Sequence, residues 1–302
     1  SSSSASGPAP WRAAFLKNVN DMASPEFTLA TLHSAHAPAA APAASAVPRL
    51  RTVIFRGLWA ELPVNPKNTA PLNPPVYESD LLTLTTDARM AKVPDLFGPS
   101  SSSSSSFSSG GGGPVEACFW TGAKVQWRVR GEAHVLGPDV EHPDAPGPAA
   151  VREALQARMR RRRRRRHSEG PPPEGDNKAA DDDDGDDWSF AREVTAHFGN
   201  LSPAMRGTFR NPEPGTPRRV NPPPGDGKLG LGHKVEDLHD EAARANFRVV
   251  VVVPAEVDET DLSDPEDPRR WLYRFVGASA ADDRPTDGAE RSNGWEKIEL
   301  WP

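Results

Sequence analysis

The stretch 48–57, PRLRTVIFRG, places cationic side chains at both ends of an apolar segment. Its centre is β-branched and aromatic, which is typical of a buried strand. In a straight strand Arg49 and Arg51 share one face and Arg56 lies on the other, so one ligand could contact both ends only if the strand bends near Gly57. Arginines in these positions either lie on a solvent-exposed strand or present their guanidinium groups to a bound anion.

A second cationic cluster follows about thirty residues later along the chain. Thr85 and Thr86 precede Arg89 and Lys92, which are three residues apart. We predict a short helix over 87–96, and its N-terminus would lie beside these side chains. Hydroxyl groups, a helix N-terminus and two cations together suit a phosphate. The pattern therefore indicates an anion site, and exposed surface charge is the alternative interpretation.

Two other motifs do not have the context that their chemistry requires. GDGKLG (225–230) matches the glycine pattern of dinucleotide-binding folds, but it follows RRVNPPP, which cannot form a central strand. His233 and His239 are six residues apart, so they do not share a helix face as a zinc-binding pair would. We predict neither a dinucleotide-binding fold nor a metal site.

Opposite charges are concentrated in two neighbouring blocks. Seven consecutive arginines occupy 160–166, and DDDDGDD ends at residue 187. The basic block could be a nuclear-targeting or nucleic-acid patch. The acidic block can neutralise it, and neither block is interleaved with aromatic residues, so a disordered insert without a catalytic role is the preferred interpretation.

Composition excludes several classes of protein. The 302-residue chain has a formal net charge of −6, so the whole molecule is not built to coat nucleic acid. The single cysteine, Cys118, excludes an internal disulfide and indicates a reducing compartment, which makes the cytoplasm the expected location. The aliphatic run 249–253 is far shorter than the roughly 20 residues of a membrane helix, so no membrane association is expected.

Hydrophobic periodicity predicts a mainly β fold with peripheral helices. Most of the links between predicted strands are too short for parallel crossovers, which favours an antiparallel barrel. The predicted strands are 27–33, 50–59, 79–87, 115–120, 124–136, 247–262, 269–275 and 295–301. The predicted helices are 10–22, 87–96, 149–159, 189–198 and 233–247. We expect a disordered tail at 1–9 and one domain over 10–302, with disordered inserts at about 35–47, 100–113 and 160–187.

The ordered series of these segments resembles the pyridoxamine 5'-phosphate oxidase-like, FMN-binding split-barrel family. The resemblance extends from FTLATLH and LRTVIFRG through LLTLTTDARMAK and VQWRVRGEA to FRVVVVVPAEVD and WEKIELWP. It is greatest to the branch of unassigned substrate that is common in fungi and cyanobacteria. It implies an antiparallel split β-barrel that forms a homodimer, with FMN in the cleft between the two barrels.

The resemblance also implies which residues contact FMN. The family strand R-x-V-x-x-K/R corresponds to the stretch 51–56, and the following family segment corresponds to the threonines and cations at 85–92. A glutamine and an arginine on later strands complete the set. The implied FMN-binding residues are Arg51, Thr52, Val53, Ile54, Arg56, Thr85, Thr86, Arg89, Lys92, Gln126 and Arg270.

Two departures from the family pattern concern the substrate. The oxidases carry an Arg-x-His pair before the penultimate strand, whereas this chain has DPEDPRRW without a histidine. The tryptophan that covers the flavin in the oxidases corresponds to Thr260. Ser202 and Arg206 correspond loosely to the family's substrate-phosphate residues. The resemblance therefore favours FMN binding and leaves the substrate unassigned.

The resulting functional expectation is a flavin-dependent oxidoreductase acting on a small molecule. Because the flavin itself accepts the hydride, the sequence need not show a separate catalytic dyad. The alternative is a non-catalytic module that keeps the barrel, binds flavin or another anion, and recruits a partner through its charged inserts. A nucleic-acid binder acting through residues 160–166 is a third and weaker interpretation.

Overall fold

The computed structural model describes residues 7–34, 46–98, 108–162, 187–217, 231–277 and 288–302. The helices are α1 (Arg12–Asn20), α2 (Pro146–Gln156), α3 (Phe190–Asn200), α4 (Pro203–Gly207) and α5 (Glu241–Asn246). The first six strands are β1 (Glu26–Ser34), β2 (Ala46–Ile54), β3 (Tyr77–Ser79), β4 (Leu82–Asp87), β5 (Gly110–Trp120) and β6 (Val125–Leu136). The other five are β7 (Met159–Arg161), β8 (Phe247–Asp261), β9 (Arg269–Phe275), β10 (Glu290–Ser292) and β11 (Trp295–Leu300).

Nine of these strands form one antiparallel sheet. Its order is β10-β11-β9-β8-β6-β5-β1-β2, and β4 pairs with β8 outside this path. The short strands β3 and β7 pair with each other. The two ends of the sheet do not pair within the described residues, so the sheet is not closed. The predicted mainly antiparallel fold with peripheral helices is confirmed, and the open sheet is consistent with a split barrel.

The central strand β8 separates two hydrophobic cores. Val250 and Val252 belong to the first core, whereas Val249 and Val251 belong to the second. Successive side chains of a strand point to opposite faces, so an unbroken valine run can supply both. The β6–β8 pairing shifts register at Gly131, where β8 contains one extra residue. Residue 131 must be glycine, because a Cβ there would lie 2.0 Å from the Val253 carbonyl oxygen.

Aromatic side chains fill the first core. The ring of Phe15, on α1, lies 5.1 Å from that of Phe119 and 5.6 Å from that of Trp127, both in edge-to-face geometry. Such pairs stabilise beyond the area that they bury. The second core packs α2 and α3 against the opposite face of the sheet through Val151 and Phe198.

Helix boundaries follow local capping, and two of the predicted helices are wrong. The predicted cap Ser189 is confirmed, since its side chain accepts from the Arg192 backbone N–H. The predicted helix 87–96 is a series of turns that ends in the 3₁₀ helix Pro94–Leu96, because Pro94 cannot continue an α-helix. Of the predicted helix 233–247 only α5 forms, and its cap is Asp240.

The predicted inserts are wrong at their edges. Strand β2 begins at Ala46, and Arg160 is buried and paired with Asp80. The glycine run 110–113 is part of β5 rather than a linker, because close packing excludes side chains there: a Cβ on Gly113 would lie 2.5 Å from the Asp95 carbonyl oxygen. The predicted tail 1–9 is wrong at its end, because Ala9 is buried and its N–H donates to Asp80. The insert residues 35–45, 100–107 and 163–186, residues 1–6 and the GDGKLG motif lie outside the described residues.

In the described part of the chain, no helix has both the length and the hydropathy to cross a membrane.

Candidate functional site

Arg51 is held against the neighbouring strand rather than extended into solvent. Its Nη1 donates to Thr31 Oγ1 at 2.7 Å and to the Leu29 carbonyl oxygen at 3.2 Å, both on β1. Its Nη2 lies 3.7 Å from Asp95 Oδ2. These contacts fix the guanidinium in one orientation beside a carboxylate.

Asp95, which sequence reasoning missed, is the centre of this arrangement. It is buried, accepts from Thr31 Oγ1 at 2.8 Å and lies 2.7 Å from His33 Nδ1. The backbone of Asp95 and Leu96 packs directly on Gly113 of β5. An aspartate in a Pro-Asp-Leu turn has no distinctive sequence signal, because its role depends on contacts across the sheet.

Lys92 lies close to Arg51, and no paired carboxylate among the described residues neutralises the positive charge of its ammonium group. Burial lowers the pKa of its ammonium group, and the charge of Arg51 lowers the pKa further, while Asp87 acts in the opposite direction. Among the described residues no carboxylate lies within ion-pair distance of Lys92. A half-buried cation beside a second cation is favourably placed to receive an anion.

Arg89, by contrast, is fully engaged within the protein. Its Nη2 and Nε donate to the Asp87 carboxylate at 2.6 and 2.9 Å, and its Nη1 donates to the Asn211 carbonyl oxygen at 2.9 Å. The Asp87 carboxylate also accepts from the Arg89 backbone N–H, which closes the turn. Arg89 therefore fixes the turn that carries Lys92.

The two predicted threonines lie on opposite faces of β4. Thr86 is buried, and its hydroxyl is 3.4 Å from the Asp87 carbonyl oxygen. Thr85 pairs with Val249, whose side chain is in the second core, so Thr85 faces that side of the sheet. Only one of the two hydroxyls can therefore serve a ligand on a given face.

Arg56 lies in different surroundings from Arg51. Its backbone N–H donates to the Thr83 carbonyl oxygen, and Gly57 follows with a φ of 105°. Its Nε is buried without a hydrogen-bond partner, and burial lowers the pKa of the guanidinium group. The charge of Arg56 reaches His197 of α3, whose pKa it lowers. Arg56 thus faces the second core and α3.

The segment between these arginines provides backbone rather than side-chain groups. Thr52 is exposed, and Val53 and Ile54 are half-buried. β2 is the last strand in the sheet order and pairs only with β1 among the described strands. Its outer edge therefore presents N–H and C=O groups that a ligand could use.

Gln126 and Arg270 are brought near each other, away from the group around Arg51. Each pairs with Thr260 of β8, from opposite sides, so both side chains share a face of the sheet. Arg270 Nη2 donates to Asp258 at 2.8 Å, and this bond raises the pKa of the guanidinium group. No described contact joins this pair to Arg51 or Lys92.

The weakly predicted substrate pair, Ser202 and Arg206, lies on one turn of α4, where the Arg206 backbone N–H donates to the Ser202 carbonyl oxygen at 2.9 Å, but the two side chains differ in burial. Ser202 is the exposed N-cap of α4, and its hydroxyl accepts from the Met205 backbone N–H. Arg206 is buried, with its Nε unpartnered, its guanidinium carbon 5.9 Å from the Phe198 ring centroid and its Nη2 4.0 Å from Glu236. The two side chains therefore point into different environments.

A buried polar cluster on α3 was also missed. Both ring nitrogens of His197 and the Oε1 atom of Glu193 are buried without hydrogen-bond partners, and Nε2 lies 3.9 Å from that oxygen. The His197 ring stacks on Trp59 with a centroid separation of 6.0 Å. Burial first, and Arg56 second, lower the His197 pKa to about 3, whereas burial raises the Glu193 pKa. A Glu and a His four residues apart on an apolar helix face were the available signal.

Metal chemistry has no support in the part of the chain that the structure covers. No group of three or more histidine, cysteine, aspartate or glutamate side chains there is arranged to hold a metal ion. The chemistry that the site offers is anion binding by Arg51 and Lys92.

Comparison with solved structures gives two matches that cover nearly all of this chain. A pyridoxamine 5'-phosphate oxidase-related, FMN binding protein from Nostoc punctiforme PCC 73102 is 19% identical with a TM-score of 0.50, over 98% of this chain and 100% of that chain. PhzG from Burkholderia lata 383, solved with tetrahydrophenazine-1-carboxylic acid, is 11% identical with a TM-score of 0.35, over 99% of this chain and 100% of its own. At its level of identity the Nostoc protein shows a shared fold and no more.

Two comparisons of the sequence itself give different outcomes. No curated protein matches the chain. Residues 8–137 match the family model described as pyridoxamine 5'-phosphate oxidase, FMN-binding domain. This range includes β1 to β6 and all of the cationic residues around Arg51, Arg56 and Lys92. Over residues 8–137 the chain is therefore similar to the pyridoxamine 5'-phosphate oxidase FMN-binding domain family, which confirms the resemblance that its sequence indicated.

Proposed function

We propose that the protein binds FMN and acts as a flavin-dependent oxidoreductase on a small substrate. The observation that carries the proposal is the half-buried Lys92 ammonium, which lies beside Arg51 without an ion-pair partner in the described structure. Burying an unpaired cation is costly, so such a group is retained where a ligand supplies the negative charge. The FMN phosphate has this charge, and the family match covers the residues concerned.

The residues present fit FMN at several points. Lys92 and Arg51 would hold the phosphate, with Thr86 nearby on the same segment of chain as Lys92. The free edge of β2 at Thr52, Val53 and Ile54 would supply backbone contacts. When bound, the flavin accepts a hydride, and the protein's residues bind it, orient it and exclude water.

We also propose that two copies of the chain complete the site. Gln126 lies on β6 and Arg270 on β9, which are three and five strands from β2 in the sheet order, and no described contact joins them to Lys92. They can serve the same flavin if they come from the second barrel of a homodimer. Arg270 is already paired with Asp258, so it would act through a fixed guanidinium.

One observation favours the alternative of a non-catalytic module. Asp95 is already 3.7 Å from Arg51, and Thr31 and Leu29 accept hydrogen bonds from the same guanidinium. This arrangement reduces the positive charge that Arg51 offers to a ligand. A barrel of this kind would hold flavin weakly or bind a different anion.

The first experiment is the visible absorption spectrum of the freshly purified full chain, with the released chromophore identified by mass. Stoichiometric FMN that dithionite reduces and oxygen reoxidises supports the proposed function. The molecular mass in solution, measured by light scattering with and without FMN, tests the shared site. A colourless protein that fails to take up added FMN would overturn the cofactor assignment and favour the module.

A further inference from the structure

A small cavity lies where the end of α2 meets β7, β9 and β11. Its walls include Asp80, Arg158, Arg160, Phe275 and Trp295. Its volume of about 20 Å³ is enough for about one water-sized group. The cavity therefore suits a single small polar species, or the end group of a larger one.

Arg158 is the principal cation of this cavity. Its guanidinium carbon lies 3.4 Å from the Phe275 ring centroid and 5.8 Å from that of Trp295. Its Nη2 donates to the Pro254 carbonyl oxygen at 2.8 Å. Burial lowers its pKa to about 10, and the structure shows no carboxylate in ion-pair contact with it among the described residues. The remaining N–H groups of Arg158 have no described acceptor.

The acidic groups beside Arg158 are committed to other arginines. Asp80 accepts from Arg160 through both carboxylate oxygens, from Arg12 at 3.1 Å and from the Ala9 backbone N–H at 3.0 Å. The surrounding ion pairs continue through Glu61 and Glu78. The cations of this network are Arg12, Arg160 and Arg162, and its anions are Glu61, Glu78 and Asp80. These charges balance, and Arg158 lies beside them as a further cation with no ion pair among the described residues.

We propose that this cavity is a binding site for a small monovalent anion, either chloride or a carboxylate group, held by Arg158. The planar guanidinium presents N–H donors that match a carboxylate in two-point geometry. The rings of Phe275 and Trp295 keep the site partly dry, which strengthens a charge-assisted hydrogen bond. The unpaired charge of Arg158 favours an anion over a water molecule, and the small volume favours a small anion over a bulky one.

The test is the thermal stability of the full chain in titrations of sodium chloride, formate and acetate. Ionic strength is held constant with a bulky sulfonate that the cavity cannot admit. An anion about five-fold above its dissociation constant should raise the Tm by roughly 2 to 4 °C, and the rise should saturate. Arg158→Met should abolish the rise. Arg161→Met is the matched control, because Arg161 is an exposed arginine three residues further along, on β7, and should keep the full response.

A second measurement keeps the proposal testable if Arg158→Met does not fold. Excess ³⁵Cl line width in the wild-type protein should fall as acetate is added, which shows that chloride and acetate share the site. Arg158→Lys should then bind acetate at least about five-fold more weakly, because the lysine cannot make the two-point contact. A wild-type protein with no saturable response and no excess line width holds only water in the cavity, and this result would overturn the proposal. Equal acetate affinity in Arg158→Lys would overturn it as well.

Discussion

Thr31 Oγ1 accepts a hydrogen bond from Arg51 Nη1 at 2.7 Å. The same hydroxyl donates to Asp95 Oδ2 at 2.8 Å, so it connects a cation to a buried carboxylate. The guanidinium is thereby fixed on β1 and partly neutralised. Lys92, which is near Arg51 but is not joined to this chain of hydrogen bonds, is left as the less compensated cation. The predictions for flavin binding follow from this difference.

Replacing Lys92 by Met should weaken FMN binding more than any other single change in the site. A charge-assisted hydrogen bond contributes about 1.5 to 3 kcal/mol, which corresponds to roughly 10- to 100-fold in the dissociation constant. Titration of the apoprotein with FMN, followed by flavin fluorescence, measures this dissociation constant. Riboflavin, which has no phosphate, should lose little affinity in the same variant.

The control for that experiment is Arg130→Met, which removes one positive charge from an exposed guanidinium on β6. FMN affinity in this variant should match the wild type. If Lys92→Met binds FMN as tightly as Arg130→Met does, the phosphate does not lie at Lys92. Arg51→Ala should give a smaller loss than Lys92→Met, because Asp95 and Thr31 already satisfy part of Arg51.

Gly113 positions the anion site from a distance. A Cβ at this residue would lie 2.5 Å from the Asp95 carbonyl oxygen and 2.6 Å from the Leu96 carbonyl carbon. Backbone atoms cannot yield as a flexible side chain does, so Gly113→Ala should destabilise the fold by about 1 to 3 kcal/mol and weaken FMN binding. Urea unfolding and flavin titration measure the two effects.

Gly122→Ala is the matched control, because a Cβ there meets no atom within 4 Å and the residue has no positive φ. Its stability should stay within about 0.5 kcal/mol of the wild type. Equal stability of the two variants would show that β5 does not pack on the Asp95 turn as described.

The buried His197 should make stability depend on acidity. Its pKa is about 3 in the folded chain, against an ordinary value of 6.5, so below pH 6.5 the unfolded chain binds the proton more readily. Stability should therefore fall as pH decreases from 6.5 towards 3. The loss attributable to this residue is about 1.4 kcal/mol at one unit below 6.5.

Two other titratable groups also make stability depend on pH in this range, and their effects must be separated from that of His197. His134 has a pKa lowered to about 4 by burial and acts in the same direction. Glu193, whose pKa burial raises, has the opposite effect, since stability falls as pH rises above 4.5. His197→Phe keeps a ring against Trp59 and removes the titration. Its unfolding free energy should vary less between pH 6.5 and 4 than that of the wild type, and an identical slope would contradict the assignment.

The edge of the arginine run should matter for stability more than its middle. Arg160 is buried and bonded to Asp80 through two nitrogens. Arg160→Met should lower stability by roughly 1 to 3 kcal/mol, because part of the Asp80 carboxylate loses its donors. Replacing 163–186 by a glycine-serine linker of equal length should leave the Tm unchanged. Thermal unfolding measures both, and a large loss of Tm in the linker variant would show that these residues stabilise the fold.

The local sequence pattern was sufficient to predict most of the helices and strands. The valine run of β8, the alternation in β5 and β6, and the Ser189 cap of α3 each carry their signal within a few residues, because strand alternation and capping are short-range effects. The segments 87–96 and 110–113 were predicted wrongly from local pattern. Pro94 prevents the α-helix that propensity indicated at 87–96, and the packing of Gly113 on Asp95 places the glycine run in a strand although its composition is typical of a linker.

The sequence by itself determined the class of fold, the family resemblance and the segments that carry the cations. Only the tertiary structure decided which cations remain available to a ligand. Arg89 is engaged by Asp87, Arg51 is partly compensated by Asp95, and Lys92 and Arg56 are not paired in the described structure. The physical reason is that the charge a residue offers depends on its burial and on partners that are distant in sequence. Thr31 and Asp95 are 20 and 44 residues from Arg51, and residue spacing along the chain does not encode these contacts.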